Sequence, residues 1–178
     1  MLKQGRFFCD DYCIIPVHFS IEDKEEFLSF LRTSGEKYNV TLVCLNKNMM
    51  AGISHVKTAL IHALRSWRSE KPIARSLEME VLLYAAGKRQ TGQIGPFGPD
   101  IGENSCYLCI LPPSQEYYEN LSARMIEVTN ENWDIISADK KKRLISFFEI
   151  TPEEIEITGD SKLSDLVCER TVLLTVNR

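Results

Sequence analysis

The side chains that could take part in chemistry are six cysteines, three histidines and a set of basic residues concentrated between positions 54 and 90. Cys106 and Cys109 form a CxxC pair, a spacing that can bind metal or carry redox chemistry. They lie in an apolar segment, residues 105–111, whose composition predicts a β-strand. In a strand, residues three apart point to opposite faces of the sheet. No second pair with ligand spacing occurs. The cysteines therefore indicate small core residues in a reducing compartment.

The histidines offer little more to a metal. His55 and His62 are seven residues apart and fall on one side of a helix, but two histidines do not complete a zinc shell. We expect them to flank a core. The sequence also lacks the GxxxxGK[ST], GxGxxG, HExxH and GxSxG motifs. We therefore predict a protein that is not an enzyme and has no cofactor and no metal. Stoichiometric zinc in the purified protein would instead indicate a small metal-dependent enzyme.

The basic charge is local. The chain carries a net charge of −4, which argues against indiscriminate coating of nucleic acid. Residues 54–90 contain seven Lys or Arg and three Asp or Glu, a net charge of +4, which leaves a net charge of −8 for the rest of the chain. This stretch predicts two consecutive helices, from 54 to 69 and from 76 to 86.

At about 100° per residue, the first helix divides into two sides. One side is apolar, and the other carries Lys57, Ile61, Arg65 and Arg68. The second helix is apolar almost all round, with Ser76 as its expected N-cap and Gly87 as its expected left-handed stop. Glu80 falls between apolar residues on this helix, so its carboxylate must find an Arg or backbone N–H partner.

The linker from 71 to 75, Lys-Pro-Ile-Ala-Arg, places Ile73 between Lys71 and Arg75 immediately before a helix N-terminus. Cations beside an apolar platform suit phosphates and bases, and a helix N-terminus favours anions. On the residues alone, this segment is a hint of nucleic-acid binding.

The rest of the chain mixes strands and helices. We predict strands within 6–19, 40–45, 106–111 and 171–176, and helices at 20–32, from 114 and at 138–148, with a Gly/Pro-rich passage at 91–102. Pro16 suggests an edge strand, and Gly35 is expected to stop a helix. The basic run at 140–143 predicts a solvated helix face, or alternatively a partner or phosphate contact. The fold class expected is α+β, with helices packed on a mixed, largely antiparallel sheet.

With 178 residues and 44% hydrophobic content, a single domain over 1–178 is expected. No apolar segment approaches the roughly 18 residues of a membrane span, and the N-terminal sequence is unlike a signal peptide. We therefore expect a cytoplasmic protein with no membrane association.

The residues 53–59, Ile-Ser-His-Val-Lys-Thr-Ala, and 73–90, Ile-Ala-Arg-Ser-Leu-Glu-Met-Glu-Val-Leu-Leu-Tyr-Ala-Ala-Gly-Lys-Arg-Gln, resemble the small accessory subunit of the KEOPS complex. The likeness is to the archaeal type of this family, whose animal member is called the PRPK-binding protein. After Gln90 the family usually continues with another helix, whereas here the Gly/Pro-rich passage follows.

The resemblance implies an α+β protein without catalysis of its own. It further implies binding to the kinase-like ATPase subunit of the complex that makes threonylcarbamoyladenosine in tRNA. Archaeal-type members are implicated in holding tRNA by its 3′ CCA end. Carried over to this sequence, the expected nucleic-acid contacts are cations on phosphates and one apolar residue under a base: Lys57, Lys71, Ile73, Arg75, Lys88 and Arg89. The alternative is a pure protein-interaction subunit without direct tRNA contact, in which the basic residues are solvated surface.

Overall fold

The computed structural model describes residues 6–69, 71–120 and 124–176. The chain forms two compact units, each assembled from two separate stretches. Unit 1 comprises 1–46 and 98–132, and unit 2 comprises 47–97 and 133–178. That both belong to a single domain stays a prediction.

Unit 1 is built on an antiparallel sheet. Its strands are β1 (Phe7–Phe8), β2 (Cys13–Ile21), β3 (Thr41–Asn46), β4 (Gly102–Leu111) and β5 (Ile126–Glu127), and its helices are α1 (Lys24–Tyr38) and α4 (Gln115–Glu119). The order across the sheet is β1-β2-β4-β3, and β5 also pairs with β2. The predicted α+β class and antiparallel sheet are confirmed.

Alternation along the strands supplies the core of this unit. Ile15, Val17 and Phe19 of β2 share one buried cluster with alternate residues of β4. Phe27 of α1 joins the cluster, and its ring stacks on that of Phe19 with centroids 4.9 Å apart. Helix α1 therefore packs on the sheet, as the fold class requires.

The expectation that Pro16 marks an edge strand is wrong, because β2 has strand neighbours on both sides. Pro16 lies opposite Tyr107 of β4, while on the other side the pairing changes from β1, opposite Ile14, to β5, opposite Val17. The carbonyl of Pro16 accepts from the Val128 N–H at 2.9 Å. A proline without an N–H is tolerated at this gap between two short neighbours.

Unit 2 is helical. It contains α2 (Ile53–Trp67), α3 (Leu77–Ala86), α5 (Ala138–Phe147), α6 (Pro152–Thr158) and α7 (Leu163–Val176). Short 3-10 turns at Thr91–Gln93 and Gly95–Phe97 occupy the Gly/Pro-rich passage. Helices α2, α3 and α7 pack against one another. None of the helices in the described ranges has the length and apolar content needed to span a membrane.

The predicted strand at 171–176 is wrong, because these residues form the last turns of α7. The buried positions of α7 follow helical spacing and not alternation: Leu163, Leu166, Val167, Thr171 and Leu174. An apolar run of six residues suits a buried strand and a buried helix equally, so its composition did not distinguish them.

Candidate nucleic-acid interface

Helix α2 has the two faces that its sequence predicts. Its buried residues include Val56, Ala59, Leu60, Ala63 and Leu64, each at most 8% exposed. On the opposite side Arg65 and Arg68 are exposed, Lys57 is partly exposed, and Ile61 is 44% exposed. Unit 2 thus presents a basic helix face with one isoleucine in its middle.

His55 belongs to the buried side of α2 and is 0% exposed. Its Nδ1 accepts from the Ala51 N–H at 3.1 Å, and its Nε2–H donates to the Ala85 carbonyl at 2.9 Å. Burial lowers the pKa of His55 to about 3. The imidazole is thus neutral and makes two hydrogen bonds, which confirms the expected core role. Its hydrogen bond to Ala85 shows that α3 ends beside the start of α2.

The linker between α2 and α3 is held by Glu80. This side chain is fully buried, and its two carboxylate oxygens accept from the N–H groups of Ile73 at 3.2 Å and Ala74 at 2.6 Å. The expectation that this carboxylate finds an Arg or backbone N–H partner is therefore confirmed, and the partners are backbone N–H groups. These two N–H groups are consequently engaged and do not face a ligand.

With the linker held in this way, Lys71 and Arg75 are exposed and Ile73 is half-buried between them. Ser76 takes the N-cap position of α3 with extended backbone, although its hydroxyl makes no capping bond. The structure therefore brings together three of the predicted contacts, Lys71, Ile73 and Arg75, on one fixed segment.

Lys88 and Arg89 lie elsewhere in unit 2. They follow Gly87, the left-handed cap of α3 with φ +60°, and are separated from the linker by the length of α3, about 15 Å. Lys88 Nζ lies 3.8 Å from the Glu149 carboxylate and 5.5 Å from the centroid of the Phe147 ring.

A pocket of about 360 Å³ opens beside these two residues. Its lining mixes charged and apolar side chains from the ends of α3 and α5 and from α7: Ala86, Gly87, Lys88, Arg89, Phe148, Glu149, Arg170, Leu173 and Leu174. Arg170 is already engaged, because its guanidinium donates to both carboxylate oxygens of Glu154, at 2.6 and 2.8 Å. The predicted contacts thus fall into a linker group, a pocket group and Lys57 on α2.

The CxxC pair lies on β4, as predicted, and both cysteines are fully buried. Burial raises the pKa of Cys106 to about 12 and that of Cys109 well above its usual value. Both sulfurs are held as thiols, the form that neither attacks nor binds metal well. Within the described ranges, no group of three or more His, Cys, Asp or Glu is arranged to hold a metal ion.

One polar chain in unit 1 was not expected from the sequence. Ser105 Oγ lies 2.7 Å from His18 Nδ1, and His18 Nε2 lies 3.3 Å from a Glu131 carboxylate oxygen. His18 and Ser105 are opposite one another on β2 and β4, whereas Glu131 lies 113 residues from His18 in sequence. No local pattern signals such a contact. The chain of bonds links the two strands to the segment that contains Glu131.

No protein-family model matches the sequence. The chain is similar to a curated protein of Methanocaldococcus jannaschii named regulatory protein Cgi121, with 26% identity over 149 residues. The similar region covers 83% of this chain and 93% of that protein. At the level of the family, the resemblance to the KEOPS small accessory subunit is confirmed. The relative's name describes a regulatory protein, and the similarity extends over almost its whole length.

Proposed function

We propose that this chain is a non-catalytic subunit of the KEOPS complex, acting in threonylcarbamoyladenosine synthesis on tRNA. In this proposal it binds the kinase-like ATPase subunit and holds tRNA by the 3′ CCA end. The similarity to an archaeal regulatory protein supports a regulatory role. The net charge of +4 between 54 and 90, in a chain of net −4, supports a localised anionic partner.

The observation that carries the tRNA part is the Glu80 clamp. By bonding the N–H groups of Ile73 and Ala74, Glu80 fixes a segment that exposes Lys71 and Arg75 on either side of Ile73. Two cations that flank an apolar side chain can contact successive phosphates while the apolar surface supports a base. A segment already fixed in the free protein loses little conformational entropy on binding.

The test is a gel-shift titration of purified protein with intact tRNA and with the same tRNA trimmed of its CCA end. The proposal expects a shift with intact tRNA and none with trimmed tRNA. Equal binding of both would refute recognition of the CCA end.

A charge reversal identifies the surface. Lys71→Glu with Arg75→Glu should abolish tRNA binding while the kinase-like subunit still co-purifies. The matched control is Lys142→Glu with Lys162→Glu, which changes the net charge equally at exposed positions of unit 2.

The overall charge of −4 favours the second candidate, a pure protein-interaction subunit. In that case neither pair of substitutions would change tRNA binding, and the kinase-like subunit would associate with both variants.

A further inference from the structure

The pocket at the end of α3 owes its form to Gly87. This residue has φ +60°, and a Cβ in its place would lie 3.1 Å from the Arg170 carbonyl oxygen. The end of α3 therefore lies close to the backbone of α7, and the pocket of about 360 Å³ opens beside this approach. Its volume suits a small organic molecule or the last residue of a peptide.

Lys88 brings a cation without a hydrogen-bond acceptor to this pocket. Its side chain is 28% exposed, and the Glu149 carboxylate lies 3.8 Å from Nζ, beyond hydrogen-bond distance. Within residues 6–69, 71–120 and 124–176, no acceptor forms a hydrogen bond with this ammonium. A largely buried ammonium with three donors and no acceptor favours an incoming anion.

The charges around the pocket match a ligand with one negative charge. Arg170 is engaged by Glu154, because its Nη2 donates to both carboxylate oxygens at 2.6 and 2.8 Å, and its Nε donates to the Phe148 carbonyl at 3.3 Å. Three cations and two carboxylates give this region a net charge of +1: Lys88, Arg89, Arg170, Glu149 and Glu154. A carboxylate matches this charge more closely than a phosphate monoester, which carries about −1.5 to −2.

The apolar wall of the pocket is aliphatic. It includes Leu173, whose side chain is 38% exposed. Phe148 is the one aromatic residue among the described lining residues, and it is 4% exposed because three neighbouring rings meet it edge-on. This wall therefore offers no open aromatic face, which is the usual support of an unpaired base. An aliphatic group suits it better.

We propose that this pocket binds an aliphatic carboxylate, whose oxygens accept from Lys88 Nζ and whose aliphatic group lies against Leu173. Two sources share this chemistry. One is a free aliphatic acid, and the other is the C-terminal residue of a protein chain, if its side chain is aliphatic. The inference gives the pocket a ligand other than RNA and does not depend on the proposed tRNA binding.

The test uses two probes with the same carboxylate, N-acetyl-leucine and a short fluorescent peptide that ends in leucine. Amide NMR shifts of the full chain report binding of the acid and should change at residues 86–89, and anisotropy reports binding of the peptide. With about 12 non-hydrogen atoms, N-acetyl-leucine should bind with a Kd of roughly 2 mM. The C-terminal amide of the peptide lacks the negative charge and should bind about 10- to 100-fold more weakly than the acid form.

The two probes also distinguish the sources. A protein C-terminus is indicated if the peptide binds about tenfold or more tightly than N-acetyl-leucine, since residues before the last one then add contacts. Equal affinities of the two probes indicate a free acid.

Substitutions locate the contacts. Lys88→Met should weaken both probes about 10- to 100-fold, the effect of one hydrogen bond to a charged group. Leu173→Ala should weaken them about three- to sevenfold, because the ligand covers the exposed part of this side chain. The matched controls are Lys142→Met and Ile157→Ala, which remove an exposed cation and an exposed isoleucine from α5 and α6 and should leave both affinities unchanged.

Thermal unfolding of each variant verifies that its fold is intact. If Lys88→Met does not fold, the comparison of the peptide acid with its amide still tests the contact between the carboxylate and a cation.

Three results would overturn the inference. Unchanged affinity in a folded Lys88→Met protein would show that the acid does not contact this ammonium. Equal binding of the peptide acid and its amide would show that the carboxylate is not recognised. AMP that shifts residues 86–89 at lower concentration than N-acetyl-leucine would assign the pocket to a nucleotide, as the resemblance implies for Lys88 and Arg89. A loss of the proposed tRNA function would leave this site unaffected, because neither acid probe contains RNA.

Discussion

Acidification should destabilise unit 2 through His55. The imidazole is buried and bonded in its neutral form to the Ala51 N–H and the Ala85 carbonyl, and its ring meets that of Phe148 edge-on at 5.6 Å. Protonation would place a second N–H against the Ala51 donor and a charge inside an apolar core. The folded state therefore resists a proton that the unfolded chain accepts.

The sign and size follow from the two pKa values. The pKa of His55 is about 3 when folded and 6.5 when unfolded. Between these values the unfolded state binds more protons, so the stability contributed by neutral His55 is complete above about pH 6.5 and declines as the pH falls toward 3. From pH 7 to pH 5, the free energy of unfolding should fall by about 2 kcal/mol on this account.

Urea unfolding at pH 7 and pH 5 can measure this loss in the wild type and in His55→Gln. The two tryptophans, Trp67 and Trp133, both belong to unit 2, so their fluorescence reports its unfolding. His55→Gln lowers stability at pH 7, but its further loss at pH 5 should be smaller than that of the wild type by about 2 kcal/mol. Since carboxylates titrate in both proteins, the difference isolates His55. Equal losses in the two proteins would refute the assignment.

Three further predictions concern other buried contacts. Burial lowers the pKa of Lys140 from 10.5 to about 8, so between these values the unfolded chain binds more protons than the folded protein. The free energy of unfolding of the wild type, measured in urea, should therefore rise by about 2 kcal/mol from pH 8 to pH 10 relative to that of Lys140→Met. The same pH dependence in both proteins would contradict this. Glu80→Gln leaves one linker N–H without an acceptor, which should lower the free energy of unfolding by about 1–3 kcal/mol. It should also accelerate amide hydrogen exchange in the linker, whereas Glu78→Gln should not. Gly35→Ala places a Cβ 2.6 Å from a backbone oxygen and should lower the free energy of unfolding by about 1–3 kcal/mol, as measured by thermal unfolding. Gly92→Ala, with open space around the new Cβ, should change the stability little. Equal melting temperatures of the two variants would disprove the close approach.

Where burial follows helical period, the sequence was sufficient for prediction. The two faces of α2, the left-handed Gly87 and the backbone partners of Glu80 all depend on residues close in the chain. A buried carboxylate on an apolar helix has few ways to be satisfied, and the preceding linker supplied the nearest N–H groups.

Two contacts with loop backbone were not predicted, although their partners lie only five and seven residues away in the chain. Lys140 was expected on a solvated face, but it is buried, with its ammonium donating to the Trp133 carbonyl at 3.4 Å. Gly35 was expected to end a helix, but α1 continues to Tyr38, and Gly35 instead allows the Val40 carbonyl to approach. In both cases the deciding contact is with backbone whose position is fixed only by the fold.

Among the predicted RNA contacts, the linker residues could be grouped from sequence because they are consecutive. The separation of Lys88 and Arg89 from them follows from the length of α3, a helix that the sequence predicts between the two groups. The roles of all six residues stay predictions until binding is measured.

The start of α2 has a consequence for the order of folding. Gly52 provides no side-chain cap, and the Ile53 N–H donates instead to the Asp134 carboxylate at 2.7 Å, 81 residues further along the chain. During synthesis the helix that carries the basic face emerges before Asp134, the residue that caps its first turn. Residues 1–132, by contrast, already contain all of unit 1. Unit 1 can therefore be completed on the ribosome before unit 2, and the basic helix is among the last elements to reach its final stability.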